Sequence, residues 1–415
     1  MPANQSQDRS VIIVNDFAHI NGGAALVALS SARALASRGY KVVLLAAVKP
    51  IDPDLAASDV EVVCTGQKEI LTDPNRFRAA RQGLWNRRAA RKMKELLNHY
   101  EPQKTIVHVH GWTKSLSSSV IRAAIKKNYP IVISLHDYFT VCPNGGFFNY
   151  PKNEICNLKA MSPSCVFSNC DKYGYAQKLY RVIRQMIQKR LGLTPNAIKH
   201  FISISDFSKD ILNNYLPSDA QIMSVPNPIF IERQDCAVPG NNDYFVIVGR
   251  LSPEKGLFLA AEAAREAHVN LKFVGDGELK ENLAKSYPEF EITGWLDREA
   301  VVECVKSARA LILPSLWYET QGLVVAEAAA LGIPAIVPDT CAACDMIING
   351  ETGHWFTGGN SHDLADKIAL LKNSEMLNRI GRNAYDNFWS NPPTLDNHIE
   401  HLIKAYHKIL SNFGK

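Results

Sequence analysis

"WYETQGLVVAEAAALGIPAIVPD", residues 317–339, decides how the chain is read. Just before it, "ALILPS" is a short apolar run, and after it "PAIVPD" is another; between them "LVVAEAAAL" is helix-forming, opened by Gly322 and stopped by Gly332 and Pro334. Strand, glycine turn, helix, strand is the unit of a parallel sheet covered by helices. It places Glu319 in the loop ahead of the helix and Glu327 about one turn inside it. A carboxylate accepts hydroxyl donors of a sugar, and the backbone N–H groups of Gly322, Leu323 and Val324 stand free at the helix start. An acid there equally serves only to stabilise the helix dipole, worth about 0.3–1 kcal/mol. Spacing alone leaves both readings open.

The same alternation extends in both directions. "SVIIVNDF", "NGGAALVALSSARALASRG" and "YKVVLLAAV" read as strand, helix stopped at Gly39, and strand, followed by "TIVHVHG", "PIVISLHD" and "HFISIS". Residues 226–243, "PNPIFIERQDCAVPGNND", are rich in Pro, Asn and Asp and separate this half from a second series that starts at "YFVIVGR". The expected organisation is α/β, with two doubly wound Rossmann-like domains over residues 1–236 and 237–385 and an interdomain cleft at the carboxyl ends of the strands. Residues 386–415 carry the amphipathic "NHIEHLIKAYHKIL", expected to pack back on the first domain.

Composition narrows the function. The 415 residues suffice for two cores, and 46% hydrophobic with 21% charged residues is ordinary for a globular protein. A net charge of +5 is too small by itself to argue for nucleic acid, and no nucleic-acid partner is expected. With neither a leader-like start nor an apolar run of about eighteen residues, the expected location is cytoplasmic. Nine cysteines, an odd number spread along the chain, do not form a secreted disulfide framework.

Two further motifs point to an anion. Gly22 and Gly23 lie at the first strand-to-helix turn, where helix N–H groups face a phosphate or sugar oxygen or merely close a turn. No GxGxxG is present, which disfavours a dinucleotide. "VGRLSPEKG" sets Arg250 and Lys255 on a loop opening a helix at Gly256, suited to a diphosphate. Asp52 and Asp54 in "IDPD" have the D-x-D spacing of a metal site but read better as a Pro-containing surface loop.

Taken in order, the Gly22–Gly23 turn, "VHVHG", "SLHD", "FISISDFSKDIL", "VPNPI", "VGRLSPEKG", "FVGDGEL", "ITGWL" and "YETQGLVVAEAAALGIPAIV" resemble the retaining GT-B glycosyltransferases of family 4 along nearly the whole chain. The resemblance implies a GT-B fold and transfer of a hexose, with retention, from a nucleotide-sugar donor to a glycan or lipid-linked glycan acceptor in cell-surface polysaccharide or lipopolysaccharide synthesis. It implies that Glu327 binds the donor ribose, Glu319 faces the sugar, and Arg250 and Lys255 hold the diphosphate. Trp295 and Leu296 would receive the base, while Gly23, Gly275 and their neighbours approach the donor. His136 would lie near the reaction centre, with His110 a weaker match. No cofactor is implied for catalysis, since cations and helix dipoles can stabilise the leaving diphosphate. Alternatives are an epimerase or hydrolase of nucleotide-sugars on the same fold, and a glycan-binding scaffold.

Three features stand apart. Cys142, Cys156, Cys165 and Cys170, in an insertion over residues 142–170, are the complement for a structural zinc. Cys341 and Cys344 have redox-motif spacing in the wrong fold context, which favours coincidence. Residues 76–94, "RFRAARQGLWNRRAARKMK", are basic and acid-free, expected to form one amphipathic helix making a peripheral contact with an anionic membrane at the inner face of the plasma membrane.

Overall fold

The computed structural model describes residues 9–413; the first eight residues, read above for a leader, lie outside the described residues. Among the described residues, fifteen strands form two large parallel sheets and one hairpin. The first sheet contains β1 (Ser10–Val14), β2 (Lys41–Ala46), β3 (Glu61–Cys64), β4 (Thr105–Val109), β5 (Ile131–Ser134), β8 (His200–Ser203) and β9 (Gln221–Ser224), in the order β3-β2-β1-β4-β5-β8-β9. The second contains β10 (Tyr244–Val248), β11 (Asn270–Val274), β12 (Glu291–Ile292), β13 (Leu311–Ile312), β14 (Ala335–Pro338) and β15 (Gly353–Phe356), in the order β12-β11-β10-β13-β14-β15. Between β5 and β8, the antiparallel pair β6 (Phe148–Asn149) and β7 (Glu154–Ile155) gives the cysteine-containing insertion its own small hairpin.

Continuous apolar strands follow from burial on both faces. Alternate residues divide accordingly: Ile12, Val14, Val43 and Leu45 enter one core, and Val11, Ile13, Val42 and Leu44 the opposite one. The second sheet splits likewise, with Phe245 and Ile247 on one face and Val246 on the other. The last helix, Leu395–Asn412, returns from the second domain and inserts Ile399, Leu402, Tyr406 and Ile409 into the core of the first. Its apolar stripe, read at helical spacing, is therefore a core face.

The basic segment 76–94 differs from the single helix expected. Asn86 leaves helical geometry (φ −87, ψ 90) and accepts a hydrogen bond from Ala89 N, so Arg76–Leu84 ends and Arg87–Leu96 begins as two capped helices. Met93, on the second of them, is buried in the core, while Phe77 on the first is 92% exposed. Among the described residues no helix is long and apolar enough to cross a membrane.

Candidate active site

The carboxyl ends of the two sheets meet. Thr320 donates to the His136 carbonyl at 3.0 Å, and Ser205 to the Thr320 carbonyl at 2.8 Å, pinning the loop before helix Leu323–Leu331 against the first domain. A Cβ on Gly23 would stand 3.5 Å from Leu323 Cδ1, so the first glycine turn faces the start of that helix across the cleft.

Glu319 and Lys255 are brought together. Lys255 Nζ donates to Glu319 Oε2 at 2.7 Å, and the same oxygen accepts from Trp317 Nε1 at 2.9 Å and Ser315 Oγ at 3.0 Å. Burial pushes the Glu319 carboxyl up, but the charge and hydrogen bond of Lys255, with those of Trp317 and Ser315, outweigh it and hold the group below its usual range. Gly256 makes this approach possible: its φ is +66°, and a Cβ there would lie 1.9 Å from the Pro314 carbonyl oxygen. Arg250 does not join the pair. Its side chain is 69% exposed and its ionic partner is Glu254, at 3.9 Å, which leaves its guanidinium available at the rim.

Glu327 has a partner that the sequence reading missed. Arg298 Nη2 donates to its Oε1 at 3.2 Å, yet burial outweighs that cation and pushes the Glu327 carboxyl up. Trp295 is 77% exposed and Leu296 packs partly against the core below, giving the mouth of the second domain a free indole face. Gly275 has φ +146°, and a Cβ on it would come 2.0 Å from the Gly249 carbonyl oxygen, so two glycine turns lie in contact.

On the opposite wall, His136 Nε2 and His110 Nδ1 share a hydrogen bond at 2.9 Å, with their rings stacked 5.1 Å apart. Burial holds His136 down to about 3 and keeps His110 well below its usual value, so both are neutral hydrogen-bonding groups. His108, behind them, is fixed by Tyr406 Oη at 2.6 Å and Ser134 Oγ at 2.8 Å. Nothing local in the sequence marks Arg298, which meets Glu327 from 29 positions away, whereas Trp317 stands two positions before Glu319 and was missed because only the fold turns its indole N–H onto that carboxylate.

The cysteines behave differently. The four-thiol zinc set expected from the sequence is not assembled: among the described residues no group of three or more His, Cys, Asp or Glu is placed to hold a metal. Instead the fully buried ammonium of Lys178 donates to Cys170 Sγ at 3.1 Å and Cys165 Sγ at 3.6 Å. Cys341 and Cys344 are unpaired, and burial pushes the Cys341 thiol up, away from redox activation. Asp52 caps helix Pro53–Ala56 and Asp54 pairs with Arg33 at 2.8 Å.

Two Rossmann-like domains joined across a cleft, with glycine turns, a helix start and cations converging on it, define a GT-B glycosyltransferase. The Glycosyltransferase Family 4 profile matches residues 21–233, and the profile described as Glycosyl transferases group 1 matches residues 229–387. The chain belongs to glycosyltransferase family 4. Among curated relatives, the Mycobacterium leprae phosphatidyl-myo-inositol mannosyltransferase is 27% identical over 43% of this chain and 51% of its own. The Escherichia coli UDP-Gal:alpha-D-GlcNAc-diphosphoundecaprenol alpha-1,3-galactosyltransferase is 27% identical over 34% and 40%. The chain thus spans about half the length, or less, of the first curated relatives it matches, from 28% to 51%. Anabaena HepE, solved in complex with UDP-glucose, shares the fold at a TM-score of 0.64 and 15% identity, over 96% of this chain and 99% of that one.

Proposed function

We propose that this glycosyltransferase moves a hexose, with retention, from a nucleotide-sugar to a glycan or lipid-linked glycan acceptor in surface polysaccharide synthesis. The observation that carries the reading is Lys255 held 2.7 Å from Glu319, beside the start of helix Leu323–Leu331. A glycosyl phosphate bond breaks with negative charge on the diphosphate; Lys255, Arg250 and the helix N–H groups supply positive potential where that charge grows. Glu319 already accepts three hydrogen bonds on one oxygen, which favours a positioning role at the sugar over attack as a nucleophile. Retention then follows from front-face attack, with the leaving diphosphate taking the acceptor proton. Glu327 and Arg298 receive the ribose, and Trp295 offers its indole to the base. The complexed sugar nucleotide of HepE and the diphospholipid acceptor in the galactosyltransferase's name support the substrate classes.

The matching nucleoside diphosphate should raise the melting temperature in a thermal-shift screen, by a stabilisation of about 2.7 kcal/mol at a hundredfold excess over Kd. Proton NMR of the transfer product should show the anomeric configuration of the donor; an inverted product, or no stabilisation by any nucleotide, rejects the reading.

The proposed membrane contact is assigned to exposed apolar residues of packed helices. Phe77 on Arg76–Leu84 and Leu179, Ile183 and Met186 on Tyr175–Arg190 are exposed, with Lys189 and Arg190 beside the latter stripe. Replacing Phe77 and Ile183 by Ser should weaken sedimentation with vesicles containing an anionic phospholipid; unchanged sedimentation refutes this surface.

A further inference from the structure

A second cationic concavity lies on the first domain, away from Arg250 and Lys255. It is a cavity of about 620 Å³ between the loop after β3 and the two short basic helices, and Lys68, Arg78, Arg81, Arg87 and Arg88 line it with Trp85. No acidic residue lines it. Arg78 is neutralised by Asp73 at 2.6 Å, a carboxylate that Lys68 also faces electrostatically, whereas Arg81, Arg87 and Arg88 have no ion-pair partner among the described residues. Four like charges gathered around one hollow repel each other, and an anion entering it relieves that repulsion.

The floor is built and fixed. Gln67 Nε2 donates to Gln82 Oε1 at 2.9 Å, Asn86 Nδ2 donates to Gln67 Oε1 at 3.1 Å, and Gln82 Nε2 donates to Ser115 Oγ at 2.9 Å. Gln82 and Asn86 are buried, so the hollow keeps its shape without a ligand. Through Ser115, whose N–H donates to buried Asp16 at 2.8 Å, the floor is tied to the loop that follows His110. The cavity therefore lies beyond the carboxyl ends of β1, β3 and β4, at the end of the first sheet that carries His110. Trp85, partly exposed at the junction of the helices, presents an aromatic face of the kind that packs on sugar rings.

We propose that this cavity is a second anion site, which grips the phosphate or diphosphate of a phosphorylated glycan acceptor. The assignment rests on the transferase reading for the identity of the acceptor, and on the cavity alone for the anion. Arginine forks suit phosphate oxygens bidentately, and three arginines without a carboxylate partner, with Lys68 beside them, match a diphosphate better than a single carboxylate. The volume leaves room for an adjoining sugar beside Trp85.

The test is calorimetric titration of the full chain with inorganic pyrophosphate, which both anion sites can bind. In R250Q/K255Q one binding event should persist, and in R81Q/R87Q/R88Q that event should weaken by about tenfold or more. All three arginines are exposed, so the triple variant should keep the wild-type melting temperature. Pyrophosphate binding unchanged in R81Q/R87Q/R88Q, or absent from R250Q/K255Q, overturns the proposal. So does a triple variant that loses only binding to anionic vesicles, which would assign the cations to a membrane surface. If no nucleotide-sugar shifts the melting temperature while the persistent event still depends on Arg81, Arg87 and Arg88, the transferase reading fails and the anion site stands.

Discussion

Lys255→Gln should lower kcat by about a hundred- to a thousandfold while leaving the fold assembled, an effect of the size seen when one group aimed at developing charge is removed. The expectation comes from what Lys255 faces. Its ammonium is largely buried, with a side chain 19% exposed, and lies 2.7 Å from Glu319 Oε2. It stands where the leaving diphosphate would gain charge, in surroundings that screen less than water. Removing it also strands Glu319: burial alone raises that carboxyl, and Lys255 is the first of the groups that bring it down. The single variant should therefore be less stable above the normal carboxylate range, because a buried charge has lost its counter-charge. The double variant Lys255→Gln/Glu319→Gln should recover stability without recovering turnover. Recovered stability in the double variant assigns the destabilisation to the stranded carboxylate, and the catalytic role of the cation is read from Lys255→Gln alone. A single variant with kcat within a few-fold of wild type would reject the leaving-group role.

What the sequence disclosed depended on how local each feature is. The strands and glycine turns were readable because both are written within about ten residues: Gly322 before "LVVAEAAAL" marks the helix start, and "SVIIV" has the apolar run of a buried strand. The loop holding Glu319 could be placed for the same reason. Its partner could not, since Lys255 is 64 positions away, and Arg298 is 29 positions from Glu327. Residues 76–94 misled because basic periodicity was visible while the side-chain cap of Asn86, which breaks the helix, depends on one rotamer. The cysteines misled differently: their spacing says nothing of Lys178, whose buried ammonium stands beside two of the thiols. The pairing of His110 with His136 arises because β4 and β5 are neighbours in parallel register, with His108 opposite Val132. An apolar strand pattern announces the sheet but not which strands adjoin.

Acid should loosen the molecule well above the pH at which ordinary carboxylates titrate, and His398 gives the clearest measure. Its Nδ1 donates to the Pro226 carbonyl at 2.7 Å and its Nε2 lies 3.1 Å from Ser31 Oγ, so the neutral ring joins the last helix to the linker and the first helix. Burial is the main reason its value falls to about 4. His136 falls to about 3, and His108 and His110 are also held well below the usual value by burial. In the unfolded chain each histidine takes a proton near pH 6.5, while the folded chain resists until far lower, so the unfolded state binds more protons throughout that window. Stability is then greatest above about pH 6.5 and falls as the pH drops towards 4, by about 1.4 kcal/mol per pH unit for each such histidine. Asp16, whose carboxyl is raised by burial, works in the opposite sense, because the folded state binds its proton first. A comparison of variants removes that offset. His398→Asn keeps a donor towards Pro226 but cannot take a proton, and its unfolding free energy should decline less steeply, by about 1.4 kcal/mol per pH unit between about pH 6 and pH 4. Urea titrations at closely spaced pH values read the slope directly. Parallel slopes for the two proteins would mean that His398 is already charged in the folded chain, and that the seam between the last helix and the first domain does not depend on its neutrality.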